Sequence, residues 1–183
     1  MERMELKFGG LGGQGVIMSG LIVGKAAAIY DNKHATMIQS FGPEARGSSC
    51  SSQVIVSDSP IDYPYITQPD VLVVMSQDAY QRFAPELKPG GLLLSEAELV
   101  QAKDAAPGLR HFSIPATRFA EELGRRLVLN IVMVGFFTAL SGTVSQQAAE
   151  KAVVDSVPRG TEDLNLRAFR RGLEYGLSLL KAS

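Results

Sequence analysis

The sequence contains a single cysteine, Cys50, in 183 residues. One cysteine cannot form a disulfide within the chain, and it leaves too few thiolates to hold an iron–sulfur cluster or a structural zinc ion. The two histidines, His34 and His111, lie on different predicted elements, and no carboxylates are placed to complete a metal site with them. We therefore expect no metal ligands in this chain, and the cysteine usage favours a reducing cytoplasm.

An excess of charge is also lacking, as is a long hydrophobic run. The 18 basic and 19 acidic residues give a net charge of -1, which provides no positive field to gather phosphate backbones or anionic lipids. The most apolar segment, residues 127–140, is shorter than the roughly 20 residues that a membrane span needs, and it contains Asn130. Residues 1–7 lack the hydrophobic stretch of a secretory signal. Neither nucleic acid nor a membrane is an expected partner.

The apolar pattern of the chain is typical of an α/β protein. Short β-like runs alternate with helical ones through the first two-thirds, as in a largely parallel sheet covered by helices. Residues 70–75 (DVLVVM) are apolar at every position after the acid, which indicates a strand buried on both faces. After Pro115 the strand signal ends and only helical patterns follow. No repeat or long linker indicates a second domain.

We predict one α/β domain over residues 1–183, with three layers, a mostly parallel sheet, helices on both faces and a helical C-terminal part. The turn sequence KPGG at residues 88–91 separates a helix that ends near Leu87 from the next strand, because proline lacks a donor and glycine tolerates positive φ. The predicted strands are residues 6–8, 35–39, 53–56, 71–75, 92–94 and 111–114, and the other predicted helices are 16–30, 116–123, 127–140, 146–154 and 164–180.

A glycine-rich loop, GGLGGQG at residues 9–15, lies where the first strand meets the first helix. Gly10, Gly12 and Gly15 satisfy the GxGxxG spacing. Glycine lets a backbone turn sharply and approach a ligand, and the free N–H groups at a helix start attract an anion such as pyrophosphate. The alternative is that these glycines only allow the helix to pack tightly on the strand. NAD is not expected, because the second strand ends in Gln39, Ser40 and Phe41 rather than in the acidic residue that binds ribose hydroxyls.

A second loop follows the second strand, with the sequence SFGPEARGSS at residues 40–49. Loops at the carboxyl ends of neighbouring parallel strands share one edge of a sheet, so both loops are expected to border one crevice. Arg46 has the permanent charge and the several donors that suit a phosphate or a carboxylate. The alternative is a structural pair of Glu44 and Arg46 that only holds the loop.

Three runs of sequence closely resemble the gamma subunits of 2-oxoacid:ferredoxin oxidoreductases: GGLGGQGV at 9–16, SFGPEARGS at 40–48 and IDYPYITQPDVLVV at 61–74. Ser48 departs from that family, which often has a further glycine there. The resemblance extends to the C-terminal half. There it rests on Asn130 with Val134 and Gly135, and on an NxxAFxxG pattern formed by Asn165, Ala168, Phe169 and Gly172.

The resemblance implies oxidative decarboxylation of a 2-oxoacid with coenzyme A, giving an acyl-CoA and carbon dioxide while electrons pass to ferredoxin. It implies alpha and beta subunits as partners, with a delta subunit as a further candidate, and ferredoxin binding through the complex. Thiamine diphosphate, Mg and 4Fe-4S clusters are expected on those partner subunits. The gamma domain is expected to cover the active site and contact coenzyme A. The motifs look closest to the 2-oxoglutarate branch, while pyruvate and other 2-oxoacids stay open.

Neither a catalytic residue nor a metal ligand is predicted in this chain. The expected coenzyme-binding residues are Gly10, Gly12, Gly13, Gln14, Gly15, Ser40, Glu44, Arg46 and Gly47. Two alternatives remain: a free-standing nucleotide-binding or regulatory module that uses the same glycine loop, and a self-sufficient NAD-dependent oxidoreductase. A homodimer of the isolated chain is also left open. Cys50 is either a reactive thiol or a small buried residue, and burial is the commoner case.

Overall fold

The computed structural model describes residues 3–42, 47–103 and 108–182. A six-stranded sheet lies between helices, which confirms the predicted α/β class. The strands are β1 (Arg3–Leu11), β2 (His34–Phe41), β3 (Ser49–Ser57), β4 (Val71–Val74), β5 (Leu92–Glu96) and β6 (Arg110–Ile114). The α-helices are α1 (Val16–Lys25), α2 (Gln77–Phe83), α3 (Ala116–Glu122), α4 (Leu129–Ser141), α5 (Gln146–Ser156) and α6 (Glu162–Ala182). A π-helical turn, Ala26–Tyr30, extends α1 to the predicted end of the first helix.

The sheet is mixed, with the strand order β2-β3-β1-β4-β5-β6. β1, β4, β5 and β6 are parallel, as predicted, whereas β3 is antiparallel to both β1 and β2. β2 and β3 are joined by a short loop, and strands joined in this way pair antiparallel because a parallel pair needs a crossover of a dozen or more residues. Because β3 is antiparallel to both β1 and β2, β1 and β2 run in the same direction. Both strands therefore end at the same edge of the sheet.

The two faces of the sheet bury different sets of helices. On one face Leu6, Phe8 and Val73 belong to a core shared with α1 and with α3 to α6. On the other face Leu72 and Val74 pack with residues of α2. All four residues of β4 are buried, so the prediction of a strand covered on both sides is confirmed. Among the described residues, no helix combines the length and the apolarity that crossing a bilayer would require.

Helices α4 and α6 approach each other through glycines. A Cβ atom built on Gly172 would lie 1.9 Å from the carbonyl oxygen of Val132, and one built on Gly135 would lie 2.0 Å from that of Phe169. The backbones therefore touch directly, with no room for a side chain between them. Residues 129–138 of α4 are buried without interruption. The residues of the NxxAFxxG pattern thus lie on the buried face of α6, where Gly172 and the backbone of Phe169 contact α4.

We expect Gly172→Ala to destabilise the protein by about 2 kcal/mol or more. The added methyl group would force the two helices apart, and overpacking of a tight core costs roughly 1–3 kcal/mol or more, which exceeds the gain of about 1 kcal/mol from the better helix propensity of alanine. The matched control is Gly24→Ala in α1, where a Cβ atom would meet only Val54, at 3.9 Å, so a small stabilisation is expected. Urea unfolding of the wild type and both variants measures the difference. Equal stability of the two variants would contradict the close contact.

Candidate functional site

The two predicted loops meet at the edge of the sheet where β1 and β2 end. The N–H of Gly12 donates to the carbonyl oxygen of Ser48 at 2.9 Å, and the N–H of Gly47 donates to that of Gly12 at 3.4 Å. The loops therefore lie side by side, as the sequence predicted. The reason differs from the one we gave, because the antiparallel strand β3 brings them together rather than two adjacent parallel strands. Glu44 and Arg46 lie outside the described residues.

The glycine loop turns into α1 through two residues in left-handed backbone conformations. Gly13 has φ 96° and Gly15 has φ 74°, values that residues with a Cβ atom rarely adopt. Gly15 is the N-cap of α1, with no capping side chain, and the first turn of the helix has no acidic residue. The first amides of an α-helix have no carbonyl partner within the helix. Their partial positive charge is therefore not offset by an acid of the same turn, which favours an anion.

Gly10 and Gly15 have packing roles in the loop. A Cβ atom on Gly10 would lie 2.7 Å from the side-chain oxygen of Gln14, whereas one on the exposed Gly13 would meet nothing within 4 Å. Gly15 is also packed, because its Cβ would lie 2.4 Å from the side-chain nitrogen of Asn130. Close packing and special backbone geometry therefore both occur, at different glycines. Among Gly10, Gly13 and Gly15, only Gly13 has open space where a Cβ atom would lie.

The side chain of Gln14, a predicted coenzyme contact, forms two hydrogen bonds to the backbone of this chain. Its Oε1 accepts a hydrogen bond from the N–H of Leu11 at 2.7 Å, and its Nε2 donates to the carbonyl oxygen of Met75 at 2.8 Å. Leu11 ends β1, and Met75 directly follows β4. The carboxamide therefore bridges the carboxyl ends of two neighbouring parallel strands. This is the place where the strand order reverses and where open α/β sheets usually bind dinucleotides.

A pocket of about 340 Å³ lies on the other side of the helix start. It is lined by the glycine loop, by the first turn of α1 with Ile17 and Met18, and by Phe41 and Cys50. Phe41 is 67% exposed at the end of β2. The described lining residues carry no charge, so backbone amides and apolar side chains dominate this pocket.

Ser40, a predicted coenzyme contact, is not among the described lining residues of this pocket. Side chains alternate between the faces of a strand, and Ser40 pairs with Ser51 whereas Phe41 pairs with the pocket residue Cys50. Sequence reasoning missed Phe41, Ile17 and Met18 as lining residues. The available signal was the aromatic residue of the SFGPEARGSS run, which lies at the end of a strand.

The remaining reactive side chains have structural surroundings. Cys50 is 6% exposed, and burial raises the pKa of its thiol, which favours the inert, buried alternative. His34 and His111 lie on β2 and β6, at opposite edges of the sheet. His111 Nε2 lies 2.8 Å from Ser95 Oγ, and burial lowers the pKa of this histidine. Within residues 3–42, 47–103 and 108–182, no group of three or more His, Cys, Asp or Glu side chains could hold a metal ion.

Several named proteins are similar to this chain over nearly its whole length. The 2-oxoglutarate synthase subunit KorC of Methanocaldococcus jannaschii is 47% identical over 180 residues, which cover 97% of this chain and 96% of that protein. KorC of Archaeoglobus fulgidus is 32% identical and covers 98% and 91%, respectively.

Solved structures show the same fold. The gamma subunit of a keto/oxoacid ferredoxin oxidoreductase from Geobacter sulfurreducens matches with a TM-score of 0.87 and 42% identity, over 97% of this chain and 98% of that one. A 2-oxoglutarate:ferredoxin oxidoreductase from Magnetococcus marinus, solved with 2-oxoglutarate, coenzyme A and succinyl-CoA bound, matches with a TM-score of 0.87 at 21% identity. The match covers 97% of this chain and 32% of that chain, and at this identity it supports the fold alone. The model of the pyruvate ferredoxin/flavodoxin oxidoreductase family matches residues 5–175, and together with the relatives it shows that the chain belongs to this family.

Proposed function

We propose that this chain is the gamma subunit of a 2-oxoglutarate:ferredoxin oxidoreductase. The complex converts 2-oxoglutarate and coenzyme A to succinyl-CoA and carbon dioxide and passes two electrons to ferredoxin. The chain is inactive alone, covers the active site of the assembled enzyme and contacts coenzyme A. The relatives named as 2-oxoglutarate synthase subunits support the substrate, and the gamma subunit from Geobacter sulfurreducens supports the place of the chain in a complex.

The observation that carries the coenzyme proposal is the junction of the two loops beside the pocket. Gly47, whose N–H is bonded to Gly12, directly follows Arg46 in the sequence. The arginine is thus one peptide bond away from a residue that is held at the glycine loop. A guanidinium and a helix N-terminus are both suited to phosphate groups. The apolar lining from Ile17, Met18 and Phe41 suits the less polar arm of coenzyme A.

The other cofactors belong to the partner subunits in this proposal. A single cysteine cannot hold a 4Fe-4S cluster, which needs four ligands. The described residues also offer no set of acidic side chains for the Mg ion of thiamine diphosphate. We therefore assign thiamine diphosphate, Mg and the 4Fe-4S clusters to the alpha and beta subunits, with a delta subunit as a further candidate. Ferredoxin binds to the complex, in the cytoplasm, rather than to this chain alone.

The free-standing nucleotide-binding module is the less supported alternative. Gln14 occupies the gap between the ends of β1 and β4, where a dinucleotide would bind in an open α/β sheet. The same side chain argues against an NAD-dependent oxidoreductase, together with the missing acid at the end of β2. The accessible pocket lies instead between α1 and β2.

Arg46→Ala in the assembled enzyme is expected to raise the apparent KM for coenzyme A by about ten- to a hundredfold. Charged hydrogen bonds to a phosphate contribute roughly 1.5–3 kcal/mol, and 1.4 kcal/mol corresponds to tenfold in affinity. Steady-state kinetics at saturating 2-oxoglutarate measures the change. Arg167→Ala is the control, because Arg167 only pairs with Asp163 on the exposed surface of α6. An unchanged KM in the Arg46 variant would reject the coenzyme contact.

The chain is expected to co-purify from its native cell with larger subunits that carry the colour of iron–sulfur clusters. The purified complex is expected to reduce ferredoxin or a dye acceptor with 2-oxoglutarate faster than with pyruvate or 2-oxoisovalerate, in a reaction that needs coenzyme A. The isolated chain is expected to show no such activity, since it holds no cofactor of the reaction. A chain that purifies alone would contradict the proposal, and a preference for pyruvate would correct the substrate.

A further inference from the structure

The side chain of Gln14 closes the gap between the ends of β1 and β4 from inside the protein. Its Oε1 accepts from the N–H of Leu11, and its Nε2 donates to the carbonyl oxygen of Met75. The backbone N–H of Met75 in turn donates to the carbonyl oxygen of Gly9 at 2.9 Å. The tip of the glycine loop is thereby tied to the strand pair at the centre of the sheet.

A second carboxamide holds the same loop at its other end. Asn130, in the first turn of α4, is 5% exposed and donates from Nδ2 to the carbonyl oxygen of Gly15 at 3.3 Å. Gly15 is the residue at which the loop becomes helix α1. The loop is thus fixed at both ends by neutral amides, whereas Gly13 between them is exposed.

We propose that Gln14 is a positioning residue for the coenzyme pocket. By fixing the loop between Leu11 and Gly15, it sets the direction in which the N–H groups at the start of α1 point. It does not itself touch the coenzyme, because both polar atoms of its carboxamide are bonded to the backbone of the protein. The proposal rests on the coenzyme contact described above and adds a role for a residue that lies outside the pocket.

The chemistry of this position selects glutamine. The group must accept from one backbone N–H and donate to one backbone carbonyl, which a carboxamide does and an ionised carboxylate cannot. Asparagine is one methylene shorter and cannot reach both partners. Methionine has a similar shape but offers no donor. Gln14→Met therefore removes both hydrogen bonds and frees the loop, while the similar size of the two side chains avoids a large cavity.

The test compares complexes that contain Gln14→Met with the wild type. We expect the apparent KM for coenzyme A to rise roughly five- to thirtyfold, the range that corresponds to the loss of one to two neutral hydrogen bonds of ordinary strength, while kcat changes less than twofold. Amide hydrogen exchange of the assembled complex, measured by mass spectrometry, is expected to become faster in residues 11–15 and to stay unchanged in α4 and α6.

The matched control is Gln77→Met. Gln77 makes the same pair of bonds elsewhere, because its Oε1 accepts from the N–H of Gln101 at 2.7 Å and its Nε2 donates to the carbonyl oxygen of Gln101 at 3.3 Å. The Gln77→Met variant is expected to leave the KM for coenzyme A unchanged. If the Gln14→Met chain does not assemble, Gln14→Asn is expected to give the same rise in KM, since it keeps the carboxamide but not its reach.

Wild-type KM together with wild-type exchange in residues 11–15 would overturn the positioning role. A fall in kcat with faster exchange throughout the chain would also overturn it, because it would show a general structural role. If the wild-type complex shows no turnover that depends on coenzyme A, the proposed function fails instead. The exchange comparison then still decides whether Gln14 holds the loop.

Discussion

Direct contact between the backbones of α4 and α6 is the constraint on which the rest of the site depends. Gly135 and Gly172 allow carbonyl groups of one helix to touch the Cα atoms of the other, and this contact holds α4 close against α6. Asn130 lies at the start of α4 and reaches the glycine loop. The contact at Gly172 and the hydrogen bond of Asn130 thus involve the same helix, α4, which lies between the buried face of α6 and the glycine loop.

The site that results differs from that of a dinucleotide-binding sheet, although the strand, glycine loop and helix at its centre are arranged similarly. The glutamine in the loop fills the gap at the reversal of strand order, and the antiparallel strand β3 opens a different pocket between α1 and β2. The described lining residues of this pocket carry no charge, so the backbone dipoles at the start of α1 are the feature that favours an anion there. The charge that completes it, in our proposal, comes from Arg46 in the adjoining loop.

The sequence predicted those features that depend on local pattern. The fully apolar run in β4, the glycine-rich turn into α1 and the order of elements all follow from residue type and spacing, and the structure confirms them. The direction of β3 was missed because the predicted strands ended at residue 39 and began at residue 53, which left a connection long enough for a parallel crossover, whereas the observed strands end at Phe41 and begin at Ser49. The inward turn of Gln14 was missed for a different reason. A polar residue in a glycine loop is as compatible with a ligand as with backbone groups 61 positions away in sequence.

The family motifs identified structurally important residues, but they did not predict the role of each residue. Asn130 and Gly172 were noted only as parts of a resemblance, and their roles depend on helix packing that residue spacing alone does not specify. Ser40 was assigned to the site because it begins the second loop, yet the alternation of side chains along β2 directs Phe41 to the pocket instead. Ser40 and Phe41 are adjacent on β2, so a shift of one residue along the strand determines whether a polar or an aromatic side chain lines the pocket.

The burial of Cys50 has a consequence for an enzyme that handles thioesters. Acyl transfer and disulfide exchange both require a thiolate as the attacking group. The sulfur of Cys50 lies in the wall of the pocket, and burial raises the pKa of its thiol, which disfavours the thiolate. Attack of this thiol on a thioester or on a disulfide is thereby slowed. The pocket proposed for coenzyme A thus presents only a weak nucleophile to the thiol end of that ligand.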